Sequence, residues 1–299
     1  MAVSAATVIS PPRRTGRGHG SGWTGVARCY GLTVWLCDAA VAVAAADAGA
    51  AVVRARFGTS LERFEKAPMD FVTDADIDAE HAILDVLRAA RPADAYQGEE
   101  LGASGSGASD RTWLIDPLCG TLNFAAQTAM VAVNVALQDG DRVQAAACAD
   151  PVAAEVFWTG GHSAYGRRGG SDWALCPSSG TRLVEVNLDP PYPNRDRFQA
   201  VRMLADPAFM ATFRPRVVST TLALAWVAAG RRAGYVTDGH LRGSVHFSSG
   251  IALCQAAGCV VTGLQGQPPH TRAGGLVAAA DGETHAALIE IIGHQFAGR

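Results

Sequence analysis

A carboxylate, a thiol and a hydroxyl crowd one short stretch, Trp113 to Phe124, reading WLIDPLCGTLNF. A β-branched and aromatic run ends at Asp116, turns through Pro117 and Gly120, and presents Thr121. That is the pattern of a strand delivering a carboxylate to a site at its end. Upstream, Glu99 and Glu100 follow Gly98 at a loop entry, and Asp76 follows Val72 and Thr73 at a helix start. Carboxylate and hydroxyl oxygens are hard donors, whereas the thiol of Cys119 is a soft one. Taken singly, Asp74 and Asp76 read as helix caps and Gly-Glu-Glu as a solvated loop. The chemistry lies in their combination.

The elements that must position these residues follow from periodicity. An Ala-rich helix is predicted over 34–56, closed by Gly58. A second helix begins near Thr73 or Asp74 and carries Ile77, Leu84 and Leu87 as an apolar stripe up to Pro92. Gly102 to Ser109 reads as a Gly/Ser-rich loop. After TWLID comes an alternating strand with Val131, Val133, Val135 and Leu137 on one face, and Asp139-Gly140 marks a hairpin. The segments VQAAACAD and AEVFW supply two more strands, giving an antiparallel meander. The second half alternates: a strand over 183–188, a helix near 196–204, a strand near Val217 and a helix over 220–229 closed at Gly230. Then come a strand over 234–237, a helix over 248–257 closed at Gly258, a strand over 260–264 and a last helix over 284–296. Such alternation implies helices layered on a mixed sheet.

The 299 residues suffice for a sizeable core, and 48% hydrophobic with 18% charged residues suits a globular chain. A net charge of −3 offers no electrostatic footprint for nucleic acid. The seven cysteines form no C-x-x-C pair or zinc-finger spacing, which points to reduced thiols. The first 30 residues, rich in Pro, Gly and Arg, read as a disordered arm. No apolar stretch follows Arg13-Arg14 closely, so a twin-arginine export signal is rejected. Asp38 and Asp47 interrupt the Ala/Val run, so a packed helix is expected there instead of a membrane span, and the protein is expected to be cytoplasmic.

VTDAD, then GEE, then W-L-I-D-P-L-x-G-T-L-N-F, in this order, resemble the inositol monophosphatase family of lithium-sensitive, magnesium-dependent phosphatases. AACADPVAAEVFWTGGHSAYG resembles the hairpin that follows the family's site, and LALAWVAAGRRAGYVTDG its long helix and next strand. VHFSSGIALCQAAGCVVTGLQG stands where the family carries a second fingerprint. The resemblance implies a layered α/β/α/β/α sandwich, with residues 31–180 carrying the metal-site motifs and 181–299 completing the active site. It implies in-line attack of an activated water on the phosphomonoester of a small molecule, and a homodimer. By the same resemblance Glu99, Asp116 and the Leu118 carbonyl hold one Mg²⁺, and Thr121 with Asp76 activates the water. Gly120 and Thr121 amides meet the phosphate, and Lys66 is a basic residue before the site. Ser219, Thr220 and Asp238 fall in the substrate-contacting region. Ser219 to Thr221 equally read as a helix cap.

The departures are as informative as the matches. Where the family places two aspartates on a second magnesium, this chain has Cys119 and His246, and Val245 replaces the family's Trp. Mg²⁺ has little affinity for thiolate or imidazole. Losing the second ion would cost on the order of several kcal/mol in barrier. Three readings follow: a phosphatase weak or inactive with Mg²⁺, with one Mg²⁺ at Glu99 and Asp116 or a Zn²⁺ on Asp116, Cys119 and His246; a repurposed enzyme with a Cys119/His246 nucleophile and base for acyl transfer or cyclisation, its thiol acidified by the helix start; and a binding relative with neither cofactor nor activity.

Overall fold

The computed structural model describes residues 37–67, 70–105, 110–271 and 274–297. The expected arm at 1–30, the first residues of the predicted first helix and residues 106–109 of the predicted loop lie outside them.

Helix α1 runs Asp38–Arg56, and a short hairpin, β1 (Arg63–Ala67) with β2 (Asp70–Thr73), leads into helix α2 (Asp74–Ala90). Strands β3 (Ala95–Gly98) and β4 (Ala103–Gly105) pair antiparallel, so the predicted loop begins with a strand instead. Then come β5 (Arg111–Cys119), the single turn α3 (Thr121–Ala125), β6 (Ala132–Asp139), β7 (Arg142–Asp150), β8 (Glu155–Thr159), β9 (Ala164–Arg168) and β10 (Ser171–Ala174). Strands β3 to β10 make one sheet in the order β10-β9-β8-β7-β6-β5-β3-β4, antiparallel except for the parallel pair β3–β5. The Asp139-Gly140 hairpin joins β6 to β7.

The second half supplies β11 (Leu183–Val186), α4 (Ala200–Met203), α5 (Pro207–Thr212), β12 (Arg214–Val217), α6 (Leu222–Ala228), β13 (Gly234–Thr237), α7 (Ser248–Ala257), β14 (Val260–Thr262), β15 (Leu276–Ala279) and α8 (Gly282–Ala297). The helix expected near 196–204 shrinks to one turn. Helix α5, capped by Asp206 through Ala208 N and Phe209 N, and strand β15 had no periodic signal long enough to read. The second sheet has the order β12-β11-β13-β15-β14, parallel from β12 to β13 and antiparallel thereafter.

Alternation along β6 sets the layering. Val131, Val133, Val135 and Leu137 pack with α1 and α2 in one core, while Ala132 faces the opposite way with Cys148 and Phe157 against α6 and α7. Beyond that layer, Tyr235 and Leu276 bring in the second sheet. Its far face, with Val184, Val186 and Val277, packs against α4, α5 and α8. The result is the α/β/α/β/α sandwich. Within it each sheet is covered on both faces, which is why the strands read as nearly continuous apolar runs. Among the described residues no helix is long and apolar enough to cross a membrane.

Candidate active site

Pro117 decides the end of β5. It has no amide proton to give the ladder. The register with β6 therefore slips between Asp116 and Cys119, where Asp116 faces Asn134 and Cys119 faces Ala132. That slip releases the Leu118 carbonyl, which accepts from Thr121 Oγ1 at 3.2 Å. Gly120 then adopts φ +97°, and a Cβ there would stand 2.8 Å from the Met130 carbonyl and 3.0 Å from that of Ser219. Only glycine fits both the conformation and the space. The turn opens α3, and Asn123 Nδ2 ties it to the same two carbonyls, each at 2.9 Å.

Parallel pairing brings the other acids to this turn. Gly98 aligns with Ile115, and the Glu99 amide donates to the Ile115 carbonyl at 3.0 Å, so Glu99 lies beside Asp116. Glu80, one helical turn after Asp76 and wholly buried, holds the Glu99 loop from below. Its carboxylate accepts from Glu100 N at 2.9 Å and Leu101 N at 3.0 Å. Burial pushes the Glu80 carboxyl upward, and the charge of Asp116 adds to the shift. Glu80 and Asn134 were not anticipated as site residues. For Glu80 the signal was present, since it is polar where the apolar period of its helix calls for a core side chain; Asn134 falls between the valines of β6, where alternation gives no such signal.

Asp76 caps α2 and also meets Thr121. Its Oδ2 accepts from Thr73 N at 2.9 Å and Thr73 Oγ1 at 2.5 Å, which caps α2, while its Oδ1 accepts from Thr121 Oγ1 at 3.1 Å. Burial raises its pKa against those hydrogen bonds.

Asp116 is fully buried. Its Oδ2 accepts from Asn134 Nδ2 at 3.3 Å and lies 3.0 Å from His246 Nδ1, which itself stands 3.8 Å from Glu99 Oε2. Its Oδ1 has no hydrogen-bond partner. A buried carboxylate oxygen left in that condition is what a bound cation would satisfy. Among the described residues one group of three ligand-type side chains meets closely, Glu99, Asp116 and His246, with a ligand atom of each within 4.8 Å of the others.

Cys119 is not in that group, which corrects the zinc set Asp116, Cys119 and His246. Its sulfur turns toward the start of α6 and accepts from Thr221 N at 3.2 Å and Thr221 Oγ1 at 3.0 Å. The bulge after Asp116 sets Cys119 on the α6–α7 side of the sheet, the side Asp116 also faces, and there the sulfur meets the start of α6. The acidified nucleophile is corrected as well, since burial first and then the charges of Asp116 and Glu99 push the thiol well upward. Thr221 Oγ1 also accepts from Asn134 Nδ2 at 2.8 Å, and Ser249 Oγ donates to Asn134 Oδ1 at 2.7 Å. A buried polar chain thus runs from Asp116 to Cys119 beneath the site.

The remaining expectations divide. Asp238 is buried and spends both carboxylate oxygens on Asn194, at 3.0 Å to its amide and 2.8 Å to its side chain. It fastens a loop and is not presented to a ligand. Thr220, also buried, accepts from Leu222 N at 3.3 Å and serves the start of α6. Ser219 stands at the rim beside the Gly120 turn and donates to Asp189 Oδ2 at 2.5 Å. Lys66 falls in β1, and its side chain lies outside the described residues.

The sequence profile of the inositol monophosphatase family matches residues 37–295. The chain belongs to the inositol monophosphatase family. An inositol-1-monophosphatase of Caulobacter vibrioides is 29% identical over 236 residues, 78% of this chain and 91% of that protein. The Nus factor SuhB of Escherichia coli K12 is 32% identical over 245 residues, 80% of this chain and 89% of its own length. The crystal structure of extragenic suppressor protein suhB from Bartonella henselae superposes with a TM-score of 0.73 at 26% identity, covering 85% of this chain and 97% of that one. The inositol monophosphatase fold is shared further with a Thermotoga maritima IMPase, TM-score 0.68 at 19% identity, covering 84% and 94%.

Proposed function

We propose that the protein is a metal-dependent phosphomonoester hydrolase acting on a small metabolite, slow with magnesium alone. The observation that carries the reading is the Thr121 hydroxyl, shared between Asp76 Oδ1 and the Leu118 carbonyl at the edge of the Glu99–Asp116 pair. That arrangement is a hydroxyl relay beside a cation site. The unsatisfied Asp116 Oδ1 and the freed Leu118 carbonyl are hard oxygen donors, and with Glu99 they would hold the ion. When bound, a divalent cation supplies charge to the phosphoryl oxygens and acidity to water.

The chain's own residues supply the rest. Thr121 Oγ1 takes a proton from the attacking water as its own proton passes to Asp76, whose raised pKa makes it the stronger acceptor. The new P–O bond forms in line as the bond from phosphorus to the ester oxygen breaks, and the departing alkoxide takes a proton from solvent water. By the family resemblance, the Gly120 and Thr121 amides would meet the phosphate. Ser219 and Asp189 at the rim offer polar contact to the remainder of a hydroxylated substrate.

The test is phosphate release from a panel of sugar, cyclitol and nucleotide monophosphates under Mg²⁺, Mn²⁺ and Zn²⁺. Activity with at least one pair that Asp76→Asn abolishes supports the proposal. No release under any ion, with the metal shown to be bound, refutes it.

A further inference from the structure

The side chains around Asp116 do not make the all-oxygen cradle of a magnesium pair. Of the two positions where the family places second-ion aspartates, one has turned its sulfur onto Thr221, and the other has brought an imidazole nitrogen into the carboxylate group. The ligand-type atoms that do converge are two carboxylate oxygens and one nitrogen, from Glu99, Asp116 and His246.

Distances suit one shared ion. Ligands about 2.1 Å from a tetrahedral centre lie roughly 3.4 Å from one another. His246 Nδ1 lies 3.0 Å from Asp116 Oδ2 and 3.8 Å from Glu99 Oε2, on either side of that spacing. A second observation points the same way. Asp116 is fully buried, and its Oδ1 has no hydrogen-bond partner although Oδ2 receives Asn134 and faces His246. A carboxyl oxygen enclosed without a donor is unfavourable unless a partner such as a cation completes it.

Donor chemistry then selects the ion. Mg²⁺ wants six oxygens and keeps its waters, whereas imidazole with carboxylate suits the first-row divalent ions, with Zn²⁺ bound more tightly than Mn²⁺ or Fe²⁺. The sulfur is withdrawn, so nothing favours the softer ions that thiolate selects. We propose that Glu99, Asp116 and His246 form a single-ion site that takes Zn²⁺ in preference to Mg²⁺. The inference rests on the phosphatase reading for what the ion does there, not for its binding.

Full-length protein stripped with a chelator is titrated with Zn²⁺ and with Mg²⁺ against a chromophoric competitor, and separately with Co²⁺ while the visible spectrum is recorded. One equivalent of Zn²⁺ is expected to bind and to resist displacement by excess Mg²⁺. Co²⁺ is expected to give the visible bands of a nitrogen- and oxygen-ligated centre. His246→Asp should weaken Zn²⁺ binding at least about 10-fold, since even residues that only orient a ligand are worth that much. Cys119→Ser should leave Zn²⁺ affinity unchanged. Two Mg²⁺ bound as tightly as Zn²⁺, or an unaltered Zn²⁺ affinity in His246→Asp, overturns the proposal. A loss in Cys119→Ser also overturns it, because the sulfur would then be a ligand. If His246→Asp does not fold, as judged by melting, the wild-type Co²⁺ spectrum decides, and absence of bands ends the proposal. Zn²⁺ binding without phosphate release upholds the site and removes the phosphatase reading. Release under Mg²⁺ with no Zn²⁺ binding does the reverse.

Discussion

Gly98→Ala tests the support beneath the site. A Cβ on Gly98 would lie 1.7 Å from Glu80 Oε1, 2.5 Å from Cδ and 3.0 Å from Oε2, and these are its three nearest contacts. The carboxylate must therefore retreat by more than an ångström. It cannot do so freely, because it is buried and accepts from Glu100 N at 2.9 Å and Leu101 N at 3.0 Å. Hydrogen bonds to a charged group contribute about 1.5–3 kcal/mol each. Losing most of one and weakening the other should cost about 3 kcal/mol, or roughly 6–12 °C in melting temperature for a domain of this size. The same shift should loosen Glu99 and with it metal affinity. Glu80→Ala removes the three atoms nearest the new methyl. In that background Gly98→Ala should cost nearly nothing, so a double-mutant cycle by thermal melting should return a coupling of about 2–3 kcal/mol. Equal cost for Gly98→Ala with and without Glu80 would refute the reasoning.

Three further outcomes follow from the same geometry. Thr121→Val should lower kcat about 100-fold or more while leaving the melting temperature within a few degrees, because the hydroxyl's partners, Asp76 and the Leu118 carbonyl, belong to the site; steady-state kinetics beside calorimetry checks this. Cys119→Asp with His246→Asp should restore oxygen donors and raise magnesium-dependent phosphate release about 100-fold, and no gain would mean that the cradle has altered elsewhere. Glu155 is held below its ordinary value of 4.5 by its paired hydrogen bonds from Arg231, at 2.6 and 2.8 Å, with Arg168 alongside. Its stabilisation is thus present above about pH 4.5 and lost as pH falls through the lower folded value. Melting curves between pH 6 and 3 should show that loss, and Glu155→Gln should flatten it while costing about 1–2 kcal/mol at neutral pH, the lower range because Arg231 is partly solvated.

Local chemistry was legible because it is short-range. Pro117 and Gly120 force the bulge and the left-handed turn, Thr73 and Asp76 cap a helix three residues apart, and the alternating valines of β6 assign its faces, all from neighbours in the chain. The layered fold, and the expectation that Glu99, Asp116, Thr121 and Asp76 share one site, came from the resemblance of ordered motifs to a known family and not from local signals of that kind. Short elements such as α5 and β15 left too few residues for a period to register, and docking against α8 and β13 decides them instead.

Direction was what the chain alone withheld. Cys119 and His246 occupy positions that the family resemblance implied to share one cavity, yet the sulfur faces Thr221, 102 residues on, while the imidazole faces Asp116, 130 residues back. Asp238 looked available to a substrate until Asn194 took both its oxygens. Which partner a polar side chain finds depends on which elements pack against it, and hydrogen bonds across a fold carry no periodicity. The sequence by itself determined which donors exist and on which strand ends they sit. The tertiary structure decided which of them converge, because only packing of the helix layer holding α6 and α7 on the sheet sets His246 beside Asp116 and draws the thiol away.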